Sequence, residues 1–441
     1  MKIIGLIILF PLFTSVFFTG CEKIKDSNDK YALVTTSIVA TRKDASVSVT
    51  WNISNPNWLK SYNLNDDIEY INPDYYEVYL SKNTSENWEM IRTIDNSNGY
   101  KSFTLTGLTN NEPYYVYLKA ISDKVKNSKS TNIAMFVPST YKPTYSFIMK
   151  DYYGHDIYSF DRNNINNSTF VYATEYYEFK PNFSAAAIFI ARLNNEPQFV
   201  DINCWSPDYN NNGTKIVYSS VKDEIFDGII RPEHITIYDI NTNQITRVTS
   251  GYSVNKYPVW APDNSLIAFS SSDESDKRLV RITVLNPETQ EHKILETQSG
   301  LSQEIIGYSQ INPAWSSDGK YIYYTLVYAT NNNINPGYYD IYRIKSEGGI
   351  PEPVFDFNGV DCSPQISPDN SKLAFLTDLN GKLQIWVYYF KDKKFYQPFD
   401  TNIYSFMNGS HINWKDNKTI LFTAYSEEKG KKNSLFSMSI E

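Results

Sequence analysis

"NPAWSSDGKYIYYT", residues 312–325, joins a large aromatic ring, a run of small polar residues and a strand-forming tail. Trp315-Ser316-Ser317-Asp318-Gly319 either holds a ligand or turns the chain, and the rest of the sequence decides which. The stretch has four relatives: "NCWSPDYNNNGTKIVYSS" (203–220), "YPVWAPDNSLIAFSS" (257–271), "SPQISPDNSKLAFLT" (363–377) and "INWKDNKTILFTA" (412–424). Aligning Trp205, Trp260, Trp315, Ile366 and Trp414 gives steps of 55, 55, 51 and 48 residues. Asp208, Asp263, Asp318, Asp369 and Asp416 then recur two or three residues further on. Ser-Pro-Asp-Gly sequences are turn formers: Pro presets φ, Asp bonds its own downstream backbone, and Gly or Asn accepts positive φ. A reaction needs one constellation, whereas five equal copies mark a part used in every repeat. The stretch turns a corner, and its Trp is an apolar wedge suited to packing between neighbouring sheets.

Three more apolar segments follow the motif in each period. After Trp260 they are "IAFSS", "RITVLN" and "EHKILET"; the last repeat stops at its third strand, "SLFSMSI". Four strands per period of this length predict an all-β fold made of propeller blades. Residues 156–202 hold four strand-like pieces without the motif, expected to form a degenerate first blade. "TYSFIMK" (144–150) would supply the strand the last blade lacks, closing a six-bladed ring over residues 144–441. Closure removes an exposed strand edge. The motif resembles the WD-like repeat of the TolB-type β-propellers, found in bacterial envelope proteins and in the propeller domains of some prolyl-oligopeptidase-like enzymes. The resemblance implies the fold; such propellers host many unrelated roles.

Residues 31–138 follow a different plan. "ASVSVTWNIS" alternates Val47, Val49, Trp51 and Ile53, "YYEVYLS" alternates Tyr76, Val78 and Leu80, and "YYVYLKAIS" alternates Tyr114, Val116, Leu118 and Ala120. Such period-two strands between Asn, Gly and Pro turns predict an antiparallel β-sandwich. Leu108, then Tyr114, then alternating apolar residues to Ala120 resemble a fibronectin type III domain. The resemblance implies that Tyr114 makes a tyrosine corner and that Trp51 is the core Trp. An insertion near 55–73 departs from the pattern, and "VPSTYKPT" (137–144) is the expected boundary.

At the other end, Lys2 precedes an apolar run, Ile3 to Phe18, and then Thr19-Gly20-Cys21. A basic start, an apolar stretch and small residues before a cut describe a secretory signal over residues 1–20. Cys directly after Thr-Gly resembles the lipobox of bacterial lipoproteins, which implies a lipid on Cys21 and a polar tether over 21–30. The expected location is therefore the bacterial cell envelope, lipid-anchored at the outer membrane, with the membrane itself as one partner. The net charge of −8, with no Lys/Arg block, points away from nucleic acid as a partner.

No G-x-S-x-G elbow, H-E-x-x-H, P-loop or G-x-G-x-x-G is present, and the four histidines cannot build a His-rich metal centre on inner strands. Asp208-Tyr209-Asn210-Asn211-Asn212-Gly213 matches half a calcium loop, but Ser219 stands where the closing acidic ligand belongs. No metal and no cofactor are expected. The motif strand of a propeller blade is innermost, so the residues before each Trp border the central channel: Asn203, Tyr257, Asn312, Ser363 and His411, with Gln365 and Asn413 nearby. These uncharged polar and aromatic groups suit a peptide or a glycan. The expectation is a non-enzymatic scaffold that binds an envelope protein. A glycan-binding surface lipoprotein is the alternative, and a propeller enzyme acting on polysaccharide comes third.

Overall fold

The computed structural model describes residues 31–34, 36–54, 69–96, 101–176, 185–193, 195–221, 232–251, 253–272, 279–296, 305–330, 333–355, 359–399, 404–406, 410–426 and 432–440. The expected signal and tether, Cys21 included, and most of the expected insertion lie outside these residues. Among the described residues the regular elements are strands, and no helix is long and apolar enough to cross a membrane.

Two N-terminal sheets share one core. Thr36–Lys43, Ser46–Ile53 and Ser102–Thr106 form one, and Ala134–Phe136, Tyr114–Ile121, Tyr75–Lys82 and Glu89–Asp95 the other. Tyr114–Ile121 alternates buried and half-buried residues without a break, as its period-two sequence requires. Ile38, Val47, Val49, Trp51, Tyr76, Val78, Val116 and Leu118 meet between the sheets, with the Trp51 and Tyr76 rings edge to face at 5.6 Å. The Tyr114 hydroxyl accepts a hydrogen bond from Thr109 N at 3.0 Å, pinning the loop ahead of its own strand.

From residue 145 onward the described strands form six antiparallel groups. The first is Ile157–Arg162, Thr169–Tyr176, Ala185–Arg192 and Gln198–Ile202. The second is Cys204–Tyr209, Lys215–Ser220, His234–Asp239 and Gln244–Arg247, and the third Asn255–Trp260, Ile267–Ser272, Leu279–Leu285 and His292–Ile294. Ile305–Trp315, Tyr321–Thr330, Asn333–Lys345 and Glu352–Pro353 make the fourth, joined to the third by a short parallel pairing at Leu279–Tyr308. The fifth is Asp361–Ile366, Lys372–Thr377, Gln384–Tyr389 and Lys394–Tyr396. The sixth combines Ile412–Asp416, Thr419–Ser426 and Asn433–Ser439 with the short Tyr404–Ser405 and with Tyr145–Met149, a strand from far upstream. The first strands of successive groups touch one another, and an Arg162 guanidinium bond to the Lys415 carbonyl (3.0 Å) joins the sixth to the first.

The corners are tight turns closed by a carbonyl-to-amide bond three residues on: Gly213 N to Asn210 O, Asn264 N to Ala261 O, Gly319 N to Ser316 O and Asn370 N to Ser367 O, each 2.9 Å. The last residue of each has positive φ, 58–70°, which is why Gly or Asn stands there. The acid or amide before it accepts the amide two residues downstream: Asn212 from Thr214, Asp263 from Ser265, Asp318 from Lys320, Asp369 from Ser371 and Asp416 from Lys418. Trp315 and Trp414 reach back from their sheets to the Val259 and Gln365 carbonyls of the preceding ones, at 3.3 and 2.9 Å.

One repeat is out of register with the expectation. Ser206-Pro207-Asp208 is not a turn: it lies inside the strand Cys204–Tyr209, whose pairing slips between Trp205–Ser219 and Asp208–Val217. Ser206, φ 54°, with Pro207 forms a β-bulge, matched by Tyr257-Pro258 (φ 55°), Asn312-Pro313 (52°) and Ser363-Pro364 (53°) in the next three sheets. Proline has no amide to leave unpaired, so the ladder skips it without an orphan donor. The turn of this repeat is Asn210–Gly213, so Tyr209, not Trp205, fills the Trp slot, and Asp208 is a strand residue. The first group, expected to lack the motif, carries a form of it: Ser159-Phe160-Asp161-Arg162-Asn163-Asn164 parallels Ser206-Pro207-Asp208-Tyr209-Asn210-Asn211. The corrected positions, Arg162, Tyr209, Trp260, Trp315, Ile366 and Trp414, step by 47, 51, 55, 51 and 48 residues.

Candidate functional site

The residue just ahead of each slot differs around the ring: Asp161, Asp208, Val259, Ala314, Gln365 and Asn413. Four consecutive sheets, fifth to second across the closure, thus carry polar groups, and the third and fourth carry apolar ones. The polar sector is joined by hydrogen bonds. Asp161 Oδ2 accepts from Tyr209 N at 2.8 Å and Asp208 Oδ2 from Trp260 N at 2.7 Å, so each carboxylate serves the slot amide of the next sheet. Asn413 Nδ2 donates to the other oxygen of Asp161, across the junction between the sixth and first sheets.

Asp161 is 6% exposed. Burial pushes its carboxyl up to about 6, against the opposing pull of the Tyr209 and Arg162 amides and the Arg162 guanidinium. Asp208 stands well above the usual carboxylate range, through burial first and the neighbouring Asp161 charge second. Two acids that resist joint ionisation titrate as a pair. Such a pair offers acceptor oxygens, which suit an amide, ammonium or guanidinium donor and disfavour phosphate. Among the described residues no three His, Cys, Asp or Glu side chains converge as a metal site. The half-calcium-loop sequence is accounted for by the Asn210–Gly213 turn, with Asp208 bound to a backbone amide instead.

The channel residues expected from sequence fall into three places. Tyr257, Asn312 and Ser363 occupy equivalent bulge positions on three successive sheets, while Asn203 is exposed outside its strand, where its carbonyl accepts from Val221 N; Ser206 holds the matching place. Sequence misplaces Asn203 because the "SPD" at 206–208 imitates the turn. Gln365 and Asn413 stand in the polar sector. His411 precedes it, its ring 5.4 Å from Phe160, and burial lowers its pKa to about 4, leaving it neutral at physiological pH. Sequence reasoning missed Asp161 altogether; the shared Ser-x-Asp-x-Asn-Asn pattern was the available signal.

Tyr257 is the one large side chain at these four bulge positions, where positive φ is strained for a bulky residue. Beside it Lys256 Nζ and Glu233 Oε1 pair at 2.9 Å, and burial raises the Tyr257 hydroxyl above its ordinary range. Tyr339 of the fourth sheet lies near Tyr257. Trp205, expected as a wedge, packs half-buried against the core between the first and second sheets and also lies near Glu233. Cys204 and Cys362 are buried and form no disulfide, and burial pushes Cys362 up to about 12.

Repeated four-stranded sheets whose first strands touch in sequence, together with the likeness of part of the chain to TolB proteins, give a TolB-like β-propeller fold. The chain is 27% identical over 143 residues to a TolB homolog of Chlorobium luteolum, a match covering 32% of this chain and 28% of that protein. It is 28% identical over 181 residues to an uncharacterised protein of Agrobacterium fabrum, covering 39% of this chain and 53% of that one. The chain thus spans about half the length, or less, of these two relatives. Among solved structures, TolB from Acinetobacter baumannii has 16% identity and a TM-score of 0.39, covering 76% of this chain and 77% of that chain. An oligogalacturonate lyase from Vibrio parahaemolyticus has 12% identity and a TM-score of 0.46, covering 93% and 99%. No protein-family model matches the chain.

Proposed function

We propose that the chain is a lipid-anchored envelope protein in which a fibronectin type III-like sandwich carries a six-bladed TolB-like propeller that binds another protein without catalysis. Five groups of four strands and a sixth of five, completed by Tyr145–Met149, support the blade count, and the Tyr114–Thr109 bond supports the sandwich family. The observation that carries the binding role is the polar sector. Similar turns recur in sheet after sheet, but the pairing of the buried Asp161 with the half-buried Asp208 and with Asn413 occurs once among the described residues, and it costs stability that a purely structural ring could avoid. A segment presenting amide or cationic donors along the ring axis complements it. Tyr257 lines up as an aromatic contact at the bulge level.

Capture of envelope proteins and binding to a glycan array would be compared between the wild type and the double variant Asp208→Asn, Tyr257→Ala. Lost protein capture with an unchanged fold supports the proposal. Undiminished capture, or binding confined to glycans, overturns it. Anchoring is tested separately: Cys21→Ser should move the protein from the membrane to the soluble fraction, and equal retention would refute the lipid.

A further inference from the structure

The N-terminal sheets do not merely precede the propeller; they grip it at two places. The first is the loop after Lys372–Thr377. Asn380 O accepts from Ala40 N at 2.8 Å, Asn380 Nδ2 donates to Ala40 O at 3.2 Å, and Leu379 O accepts from Met135 N at 2.5 Å. Ala40 and Met135 lie on the edge strands of the two different N-terminal sheets, so one propeller loop occupies both edges. Met135 and Val137 then pack with Ile366, Phe375, Leu379 and Trp386. Gly381 has φ 85°, and a Cβ there would run into the Ile38 carbonyl, so the approach depends on glycine.

The second place is Arg42, 1% exposed. Its guanidinium donates to four carbonyls: Gln397, Pro398 (2.5 Å), Tyr141 (3.1 Å) and Ser139 (3.5 Å). Gln397 and Pro398 belong to the connection from the fifth sheet to the sixth. Ser139 and Tyr141 belong to the segment leading into Tyr145–Met149, the strand that completes the sixth sheet. That segment is held at its far end as well: Tyr141 Oη and Thr144 N both donate to Ser439 Oγ, at 2.9 and 2.8 Å.

We infer that Arg42 is the pin of a latch, tying the pairing of Tyr145–Met149 with Asn433–Ser439 to the docking of the N-terminal sheets. Among the described residues its partners are these carbonyls and the Tyr396 ring at 5.6 Å, with no carboxylate, so they alone satisfy its charge. A buried guanidinium with carbonyl partners withdrawn is strongly unfavourable. Undocking the N-terminal sheets therefore removes donors from the closing segment, and releasing the closing strand leaves Arg42 uncompensated. Either event promotes the other, and the two parts unfold as one unit.

The test is hydrogen exchange and calorimetry on the full chain carrying Arg42→Met, which keeps the side-chain length and removes the fork. Amides of 145–149 and 433–439 should lose protection about tenfold or more, the factor for a lost charge-assisted hydrogen bond, while 267–272 in the third sheet keep theirs. One calorimetric transition should become two. Gly381→Ala, remote from Arg42, should give the same pattern by forcing the loop out, and Arg42→Lys should fall between. If Arg42→Met does not fold, the other two variants carry the comparison. Unchanged protection of the closing strands in folded variants, or two separate transitions already in the wild type, overturns the latch.

Discussion

Replacing Asp161 by Asn isolates the cost of the buried pair. The carboxyl rises from 3.8 to about 6 in the folded chain. A carboxyl held about two pH units above its ordinary value carries about 3 kcal/mol of penalty on its ionised form. Because the folded value is raised, this contribution to stability is complete below the ordinary carboxylate range and is lost as pH climbs through about 6. Asp208 shifts the same way, so its own contribution is likewise lost as pH rises. The amide of the variant would stay neutral, its carbonyl could still accept from Tyr209 N, and Asn413 can turn its own amide to match. After about 1 kcal/mol for the weaker hydrogen bond, Asp161→Asn should stabilise the protein by about 2 kcal/mol near neutral pH. At about 2 °C per kcal/mol for a large domain, Tm should rise by about 4 °C. Near pH 4 the two proteins should melt alike. A lower Tm for the variant at neutral pH, or an equal gain at both pH values, would refute the argument that burial penalises this charge.

Tyr257→Asn should change stability by less than about 1 kcal/mol, because relieved strain offsets lost ring packing, while partner binding falls; a large loss in thermal melts would make Tyr257 structural. Tyr114→Phe leaves Thr109 N without its acceptor and should cost about 1–2 kcal/mol in urea unfolding, with no change in binding. Asp318→Ala removes the turn bonds to Lys320 N and Ser316 Oγ and should cost about 1 kcal/mol, its exposed contact to Lys320 adding almost nothing. If that variant lost binding at full stability, the corner would be a site after all.

Period-two alternation and the recurring turn residues were legible in the sequence because they act locally. Asp318 caps an amide two residues away, and Tyr114–Ile121 displays its buried face by spacing alone. The same local logic misled at residues 206–208. Ser-Pro-Asp suits a turn and also suits a proline bulge, and the two differ only in what lies opposite. The ladder partner of Asp208, Val217, is a property of the paired sheet, not of the tripeptide. With that register misread, Asn203 and Trp205 took places that belong to Ser206 and Tyr209. The Asp161–Asp208 pair was further out of reach. Its two acids are separated by a whole sheet in sequence and come near one another only because successive first strands lie side by side around an axis, where burial raises both pKa values and the Asp161 charge raises that of Asp208 further. Arg42 and the carbonyl of Pro398 are brought together in the same way. Sequence sets which residues turn and which are buried; charge coupling and docking depend on distances that only the closed fold creates.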